Sequence, residues 1–353
     1  MLDEQVKRLL FEGTVIPAHP LALNEDRTLD EDAQRRLTNY YMDSGAGGVA
    51  VGVHTTQFEI RDPRFGLYER VLRLAVEEID KRKQKEGFIK IAGVCGHIKQ
   101  ALEESKTAKD LGYDMVLLSN GGLSGLSEAE LLERTQKVAE VMPVFGFYLQ
   151  PSVGGRAFSY EFWKEFTEIP NIHAIKMAPF NRYQTLDVVR AVCHSSRGSQ
   201  IALYTGNDDN IINDLLTEYE FNVNGKMVRK QIVGGLLGQW AVWTYKAVQM
   251  LDEVKAARSR REVPSSLLTL GQQLTDANAA LFDSANGFKG CITGINEVLA
   301  RQGLLKGNWC LLDKERLSSG QSEEIDRVCR DYPHLTDDDF VSRIPTRSGS
   351  YGQ

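Results

Sequence analysis

Residues 89–119 read IKIAGVCGHIKQALEESKTAKDLGYDMVLLS. The runs Ile89–Val94 and Met115–Ser119 are short and apolar, as is typical of parallel strands that are buried on both faces. Between them, Ile98–Leu111 has the periodicity of an amphipathic helix, and Gly112 follows as a helix stop. The stretch therefore predicts one strand–helix–strand unit of a parallel sheet.

Eight such units follow one another between Gly13 and about Ala256. The pattern predicts further helices at Asp30–Asp43, which Gly45 ends, and at Leu67–Arg82. Because strands and helices alternate strictly and parallel crossovers are right-handed, we expect an α/β fold, a (β/α)₈ TIM barrel over residues 8–256. The pattern alone also allows a doubly wound open sheet. The remaining strands are predicted at Thr14–Ala18, Gly48–Val53, Val144–Tyr148, Ala174–Met177, Ile201–Thr205 and Ile232–Leu237.

Two regions depart from this repeat. Polar alternation around Asn224-Gly225 predicts a small hairpin inserted before the last strand. Residues 257–353 form an additional C-terminal helical region, whose tail from Arg343 is rich in Ser, Gly and Arg and is expected to be mobile. The helices of this region are predicted at Leu267–Ala285, Ile295–Arg301 and about Gln321–Arg330.

Composition excludes several classes of protein. A hydrophobic content of 42% and a charged content of 25% are ordinary for a globular chain of 353 residues. The net charge of −6 is spread along the chain without a basic, aromatic-rich run, so we expect no nucleic-acid partner. No stretch reaches the length of a membrane span, and we expect a cytoplasmic protein. Five scattered cysteines without a C-x-x-C pair argue for reduced thiols and against a zinc knuckle.

Lys176 is the first candidate for chemistry. It lies near the end of the sixth predicted strand, in Asn171-Ile-His-Ala-Ile-Lys-Met-Ala-Pro-Phe180, and apolar residues flank it. The active site of such a barrel lies at the carboxyl ends of its strands. Desolvation there lowers the pKa of a lysine and leaves more free amine to attack a carbonyl, which is the condition for a Schiff base. The alternative is a structural lysine paired with a carboxylate such as Asp208.

Tyr148 ends the neighbouring fifth strand, in Phe147-Tyr-Leu-Gln-Pro151. Because adjacent strands bring their carboxyl ends together, we expect this phenol in the barrel mouth, where it could move protons to and from the substrate. The alternative is a core tyrosine with a satisfied hydroxyl.

Tyr148-x-x-Pro151 with Lys176 in an Ile-Lys-x-Ala setting resembles the dihydrodipicolinate synthase and N-acetylneuraminate lyase superfamily. Gly13-Thr-Val-Ile-Pro17, Gly52-Val-His-Thr-Thr56 and Gly206-Asn-Asp208 follow in the order that this family has. The resemblance covers about residues 8–305. It implies a class I lyase or aldolase in which Lys176 forms an imine with pyruvate or a related 2-oxo acid and Tyr148 is the acid and base, with no cofactor and no metal.

The resemblance also implies the substrate-binding residues. The loop after the second strand would hold the substrate carboxylate, either through Thr55 and Thr56, with His54 nearby, or through Val53 and His54. The loop with Gly206 and Asp208 would complete the site. The partners implied are a small 2-oxo acid, with an aldehyde as a second substrate, and further copies of the chain in a homotetramer or dimer.

Two departures bear on the substrate. The loop Ser119–Gly125 lacks the aromatic residue that dihydrodipicolinate synthases place there, and Val153 stands where they have an arginine, with Arg156 nearby. These changes favour a 2-keto-3-deoxy sugar-acid aldolase or dehydratase as the alternative reaction. A barrel that binds a keto acid without catalysing a reaction is the alternative outside enzymes.

The segment from Gly307 extends past the usual end of the family, and we expect it to cover the barrel base or to form a subunit contact.

Histidines provide the remaining alternative. His19, His54 and His97 fall at the predicted ends of the first three strands, where with Asp208 they could form a metal site of a hydrolase. The His-x-His pair that is typical of barrel metallohydrolases is absent from the sequence.

Overall fold

The computed structural model of the protein describes residues 2–82 and 87–344. Within these ranges the chain has nine strands. All of them except β8 are apolar and almost fully buried where they form the barrel, as expected for strands that are covered on both faces. The strands are β1 (Val15–Pro17), β2 (Gly48–Val51), β3 (Ile89–Val94), β4 (Met115–Leu118), β5 (Val144–Tyr148), β6 (Ile172–Met177), β7 (Ala202–Thr205), β8 (Glu218–Val223) and β9 (Lys226–Leu237).

The eight strands other than β8 form a closed parallel barrel. Their order is β1-β9-β7-β6-β5-β4-β3-β2, and every pair in this order is parallel. The first and last strands also meet: the N–H of Gly47 donates to the carbonyl of Val15 (3.1 Å), and the N–H of His19 donates to the carbonyl of Ala50 (2.8 Å). The fold is therefore the (β/α)₈ TIM barrel predicted from the sequence, and not the open sheet.

Helices surround the barrel and follow its strands. Asp30 accepts a hydrogen bond from the N–H of Ala33 at the start of the second helix, as an N-cap residue does. Gly45 and Gly112 have φ values of 84° and 83° just after two helices, which confirms them as helix stops. The helices are α1 (Glu4–Glu12), α2 (Glu31–Asp43), α3 (Tyr68–Lys81), α4 (Ile98–Asp110), α5 (Glu128–Ala139), α6 (Tyr160–Glu168), α7 (Arg182–His194), α8 (Ile211–Leu216), α9 (Thr244–Arg260), α10 (Ser265–Leu281), α11 (Cys291–Arg301), α12 (Gln321–Asp331) and α13 (Asp338–Val341).

The predicted hairpin is confirmed. Strand β8 pairs with the first half of β9 in antiparallel register, and Asn224 and Gly225 form its turn with φ values of 52° and 82°. Strand β9 then continues without a break into the barrel, so the last strand begins at Lys226 and not at Ile232. Strand β9 belongs to both the hairpin and the barrel because its second half, from Ile232, is apolar and mostly buried.

Helix α1 closes the amino end of the barrel. Its apolar residues Val6 and Leu10, and Leu2 just before the helix, belong to the same buried cluster as the inward-facing side chains of the strands. The hydroxyl of Tyr204 in β7 donates to the carbonyl of Leu10 across 2.9 Å. The barrel interior is therefore open to solvent chiefly at its carboxyl end, where active sites of this fold lie.

The C-terminal segment corrects an expectation. The N–H of Leu311 donates to the side-chain carbonyl of Gln57 (2.7 Å), in the loop that follows β2, and Asp313 forms an ion pair with Arg27. Asp337 accepts a hydrogen bond from the hydroxyl of Tyr40 in α2 (2.7 Å). The segment therefore packs along the helices and over loops at the carboxyl end, and the expectation that it covers the barrel base is wrong.

Two further expectations concern the C-terminal tail and membrane-spanning segments. The tail that was expected to be mobile begins at Arg343, and residues 345–353 of it lie outside the described residues. Among the described helices, none has the length and apolar character needed to cross a membrane.

Candidate active site

Lys176 lies inside the barrel, near the carboxyl end of β6. Its register partner on β5 is Phe147, and its amine Nζ lies 4.4 Å from the centroid of that ring. The residue is only 8% exposed. Burial lowers the pKa of this amine below the ordinary lysine value, and the negative charge of Asp208 opposes part of that shift. The amine is thus a better nucleophile at neutral pH than a surface lysine.

Asp208 lines the same cavity as this amine and lies in the loop after β7. Its Oδ1 accepts a hydrogen bond from the backbone N–H of Gln239 (3.0 Å), and the side chain of Asn278 donates to its backbone carbonyl. Burial raises the pKa of the carboxyl group, while the positive charge of Lys176 acts in the opposite direction. The two groups interact through space, so the pair can share one proton.

Asn207 fixes the loop that carries Asp208. Its side-chain amide donates to Asp214 (2.9 Å), and its carbonyl accepts from the N–H of Phe180 (3.0 Å). Asp214 in turn accepts from the hydroxyl of Thr205 (2.7 Å) and pairs with Arg182 (2.6 Å). These buried contacts hold the loop against β6 and β7, which keeps Asp208 close to the lysine.

Gly206 provides the space that the lysine side chain occupies. A Cβ atom at this position would lie 2.5 Å from Cε of Lys176 and 2.8 Å from Cβ of Ala178. Both distances are shorter than van der Waals contact, so a side chain at 206 would displace the lysine. The predicted site residues Lys176, Gly206 and Asp208 are therefore neighbours in the structure.

A cavity of about 60 Å³ lies above Lys176, and it grows to about 580 Å³ when its open mouth is included. The smaller volume holds roughly five waters, which is about the size of a small 2-oxo acid. Lys176, Gly206 and Asp208 line it, together with His54 and Thr55. Its remaining wall is mostly apolar and consists of Ala18, Val53, Phe147, Leu149, Gln150, Val153, Ala178, Phe180, Gly238, Phe282, Phe288, Cys291 and Ile295.

The loop after β2 separates the two predicted threonines. Thr55 lines the cavity, and its hydroxyl makes only a long hydrogen bond, 3.3 Å, to the carbonyl of His19. The hydroxyl of Thr56 donates to the same carbonyl (2.6 Å) and accepts from the N–H groups of Gly52 and Val53. Thr56 therefore holds the loop, while Thr55 lines the cavity. The contact of Thr56 with a substrate stays a prediction, and Thr56 is not among the residues that line the cavity.

His54 lies in the cavity wall as a neutral ring. Burial, together with the smaller effect of the nearby positive charge of Lys176, lowers its pKa to about 4. Its neighbour Val53 also lines the cavity. The structure thus brings together members of both alternatives for this loop, namely Val53, His54 and Thr55.

Tyr148 is placed differently from the expectation. Side chains alternate along a strand, and since Phe147 and Leu149 face the cavity, Tyr148 faces the helices outside the barrel. Its ring packs 5.1 Å from that of Trp163 in α6, and its hydroxyl accepts a hydrogen bond from the N–H of Phe158 (3.2 Å). The expected position of this phenol in the barrel mouth is wrong, and the alternative of a core tyrosine describes it.

The three histidines do not converge. The ring of His19 points into the helical layer, where it contacts the hydroxyl of Thr38 (2.9 Å) and the carbonyl of Pro20 (2.7 Å). His97 is exposed at the start of α4. Within residues 2–82 and 87–344, no three His, Cys, Asp or Glu side chains are grouped as metal ligands would be. The histidine-based metal alternative therefore has no support in this arrangement.

Sequence reasoning missed most of the cavity wall. Phe147 was missed because both faces of β5 are apolar or aromatic, so that alternation does not show which face is inside. Phe282, Phe288 and Ile295 form the roof over Lys176, yet they come from the α10–α11 region, more than a hundred positions further along the chain. No local motif marks them, and only the folded chain shows that they belong to the site.

Comparisons with known proteins agree with this architecture. Residues 12–218, more than half of the chain, match the profile of the Dihydrodipicolinate synthetase family. The chain belongs to this family. It is 26% identical over 206 residues to 4-hydroxy-tetrahydrodipicolinate synthase of Caldicellulosiruptor saccharolyticus, and 27% identical over 209 residues to that of Staphylococcus saprophyticus. Each match covers 58% of this chain and 65% of the relative, which is less than two thirds of the relative's length.

Solved structures share the fold. Dihydrodipicolinate synthase from Oceanobacillus iheyensis superposes with a TM-score of 0.74 at 15% identity, covering 93% of this chain and 99% of that one. N-acetylneuraminate lyase from Fusobacterium nucleatum, complexed with pyruvate, gives a TM-score of 0.68 at 18% identity, with 92% and 99% covered. At these identities the likeness establishes the TIM barrel.

Proposed function

We propose that this chain is a class I lyase in which Lys176 forms an imine with pyruvate or a related small 2-oxo acid. The observation that carries the proposal is the burial of the Lys176 amine in the wall of a cavity at the carboxyl end of the barrel. A lysine used only for structure would be expected to have a direct ion-pair partner. Here Asp208 acts on the amine through space alone.

The proposed chemistry begins at the amine. Neutral Nζ adds to C2 of the 2-oxo acid, and the resulting carbinolamine releases water to give a protonated imine. When the C3–C4 bond of a longer substrate breaks, its electron pair moves into this imine and forms an enamine, while the C4 hydroxyl loses its proton and leaves as an aldehyde. The imine itself is the electron acceptor, so the proposal needs no cofactor.

Thr55 is the proposed contact for the substrate carboxylate. Its hydroxyl faces the cavity and now makes only a long bond to the carbonyl of His19, which it can exchange for a shorter bond to an anion. Thr56 supports this role indirectly by tying Gly52 and Val53 into a fixed loop.

Asp208 is the proposed proton carrier, since Tyr148 faces away from the cavity. Its raised pKa places the carboxyl group nearer to neutrality than an ordinary aspartate, which suits an acid and base at neutral pH. In the ionised form it accepts the proton of the C4 hydroxyl during cleavage. In the protonated form it returns a proton to the carbinolamine oxygen, which leaves as water.

The alternatives fit the cavity less well. A 2-keto-3-deoxy sugar acid has several hydroxyl groups, and the mostly apolar wall offers them few partners. A silent barrel that binds a keto acid would not require the space that Gly206 leaves for the lysine. The homo-oligomer implied by the resemblance stays a prediction, which light scattering would measure.

Exchange of the pyruvate methyl protons tests the proposal without knowledge of the second substrate. The enamine takes up deuterium from D₂O, and NMR follows the loss of the methyl signal. We expect exchange with the unaltered protein and none above background with Lys176→Ala. Lys230→Ala is the matched control, because Lys230 is also a lysine whose pKa burial lowers, but it lies on the hairpin and donates to the carbonyl of Gly198. Exchange that survives in Lys176→Ala would refute the assignment.

A further inference from the structure

The cavity above Lys176 has an unusual balance of charge. Among the described residues that line it, Lys176 and Asp208 are the only ones with an ordinarily charged side chain. His54 is neutral near pH 7, because burial lowers its pKa to about 4. Burial also raises the pKa of the Cys291 thiol, which keeps it uncharged. Once Lys176 has formed an imine, its positive charge is matched by the Asp208 carboxylate, and no cation is left for a second anionic group.

Two arginines, Arg156 and Arg61, bind groups outside the cavity. Arg156 donates to the carbonyl of Leu126 (2.6 Å), and its guanidinium carbon lies 5.6 Å from the centroid of the Phe158 ring. Arg61 pairs with Glu104 (2.9 Å) behind the β2 loop. Neither side chain lines the cavity.

The roof of the cavity consists of the apolar side chains of Phe180, Phe282, Phe288 and Ile295. Phe180 and Phe288 meet edge to face with centroids 5.9 Å apart, and both have positive φ, 52° and 66°, so the backbone is bent to place them there. Phe282, just after α10, and Ile295 in α11 continue the roof. Phe147 and Leu149 line the same cavity. A substrate chain that extends from the imine therefore meets a mostly apolar wall.

From this wall we infer that the part of the substrate beyond its 2-oxo acid group is uncharged and apolar, so that the second product or reactant is an aldehyde with an aliphatic or aromatic group. This inference rests on the proposed imine at Lys176. A second carboxylate or a phosphate would lose its hydration in this space without gaining a cation, and it would face the Asp208 carboxylate. An apolar group of the same size instead gains contact area with the roof.

A competition between two 2-oxo acids of similar length tests the inference. The protein is incubated with equimolar 2-oxohexanoate and 2-oxoglutarate, the imines are reduced with cyanoborohydride, and intact-protein mass spectrometry measures the two adducts. The ratio is normalised to that of N-acetyl-lysine amide treated in the same way. We expect the 2-oxohexanoate adduct to be at least tenfold more abundant. Equal adducts, or more of the 2-oxoglutarate adduct, would overturn the inference.

Two variants and a pyruvate sample separate the possible outcomes. Phe288→Arg puts a cation in the roof and should raise the share of 2-oxoglutarate at least tenfold, whereas Phe288→Leu should keep the original preference. If pyruvate forms an adduct but neither longer acid does, the cavity admits no chain, and the inference is wrong while the proposed function stands. If pyruvate forms no adduct either, the proposed function fails and the inference falls with it.

Discussion

Gly206 and Lys176 are in such close contact that a methyl group on the glycine would lie 2.5 Å from Cε of the lysine. The same methyl group would also lie 2.8 Å from Cβ of Ala178. The glycine is thus part of the site because it is small, and the lysine can reach the cavity only while position 206 has no side chain.

We expect Gly206→Ala to lower the rate of pyruvate deuterium exchange by tenfold or more, because a displacement of about 1 Å is enough to misplace a nucleophile. NMR measures the exchange, and circular dichroism checks the fold. Gly125→Ala is the control, since a Cβ there has nothing within 4 Å, and it should exchange normally. Unchanged exchange in Gly206→Ala would show that the lysine does not need its present path.

Tyr148→Phe should leave deuterium exchange within about twofold of the original rate, because the hydroxyl lies outside the barrel. The hydroxyl accepts a hydrogen bond from the buried N–H of Phe158, so its loss should lower the free energy of unfolding by about 1 kcal/mol. Urea denaturation measures this change. A fall of about 100-fold in exchange would mean that Tyr148 does move protons in the reaction.

Asp208→Asn should reduce exchange by about 100-fold, the usual effect of removing an acid and base. Because the Asp208 charge raises the pKa of Lys176, the variant should also shift the pH at which the amine becomes reactive to lower values. The pH dependence of borohydride trapping measures that shift separately from turnover. Asp209→Asn is the nearest control, as Asp209 does not line the cavity. Equal losses in both variants would point to damage of the loop and not to proton transfer.

Lys176→Ala should fold normally and be as stable as the original protein, or more stable. Burial lowers the pKa of Lys176 in the folded state, so between that lowered pKa and the ordinary value of 10.5 the folded protein binds fewer protons than the unfolded chain. The resulting destabilisation is fully present below the lowered pKa and is lost as the pH rises toward 10.5, so removal of the amine should help more at about pH 6 than at about pH 10. Thermal melts at both values measure it. A loss of several kcal/mol would identify Lys176 as a structural ion-pair partner.

Gln57→Leu tests the contact between the C-terminal segment and the β2 loop. It leaves the N–H of Leu311 buried without its acceptor, which should cost about 1–3 kcal/mol of unfolding free energy. Gln136→Leu, at an exposed position of α5, should change stability by less than about 0.5 kcal/mol. If the two variants were equally stable, the segment would not be held to the loop by this bond.

The fold could be predicted because its signals are local. Runs such as Ile89–Val94 and Ile98–Leu111 keep their type in the structure, and the bounds change by at most a residue. The predicted last strand starts too late, at Ile232, because the polar residues from Lys226 to Gln231 belong to an antiparallel pair. The sequence does not show that the same strand continues from this pair into the barrel.

The site was predictable only in part. Lys176, Gly206, Asp208, His54 and Thr55 could be found from motifs that lie at strand ends. The side of the strand to which Tyr148 points could not be predicted. It depends on the register between β5 and β6, which shifts at Val144/Phe145. The roof depends on contacts across more than a hundred positions of chain, and no periodicity of the sequence encodes such contacts.

Borohydride reduction in the presence of pyruvate tests the central claim most directly. Intact-protein mass spectrometry should show one reduced pyruvate adduct per chain, and peptide mapping should place it on Lys176, with no adduct in Lys176→Ala. If the protein forms no adduct with pyruvate or with a panel of other 2-oxo acids, or if the adduct persists in Lys176→Ala, the Schiff-base account of this barrel is wrong.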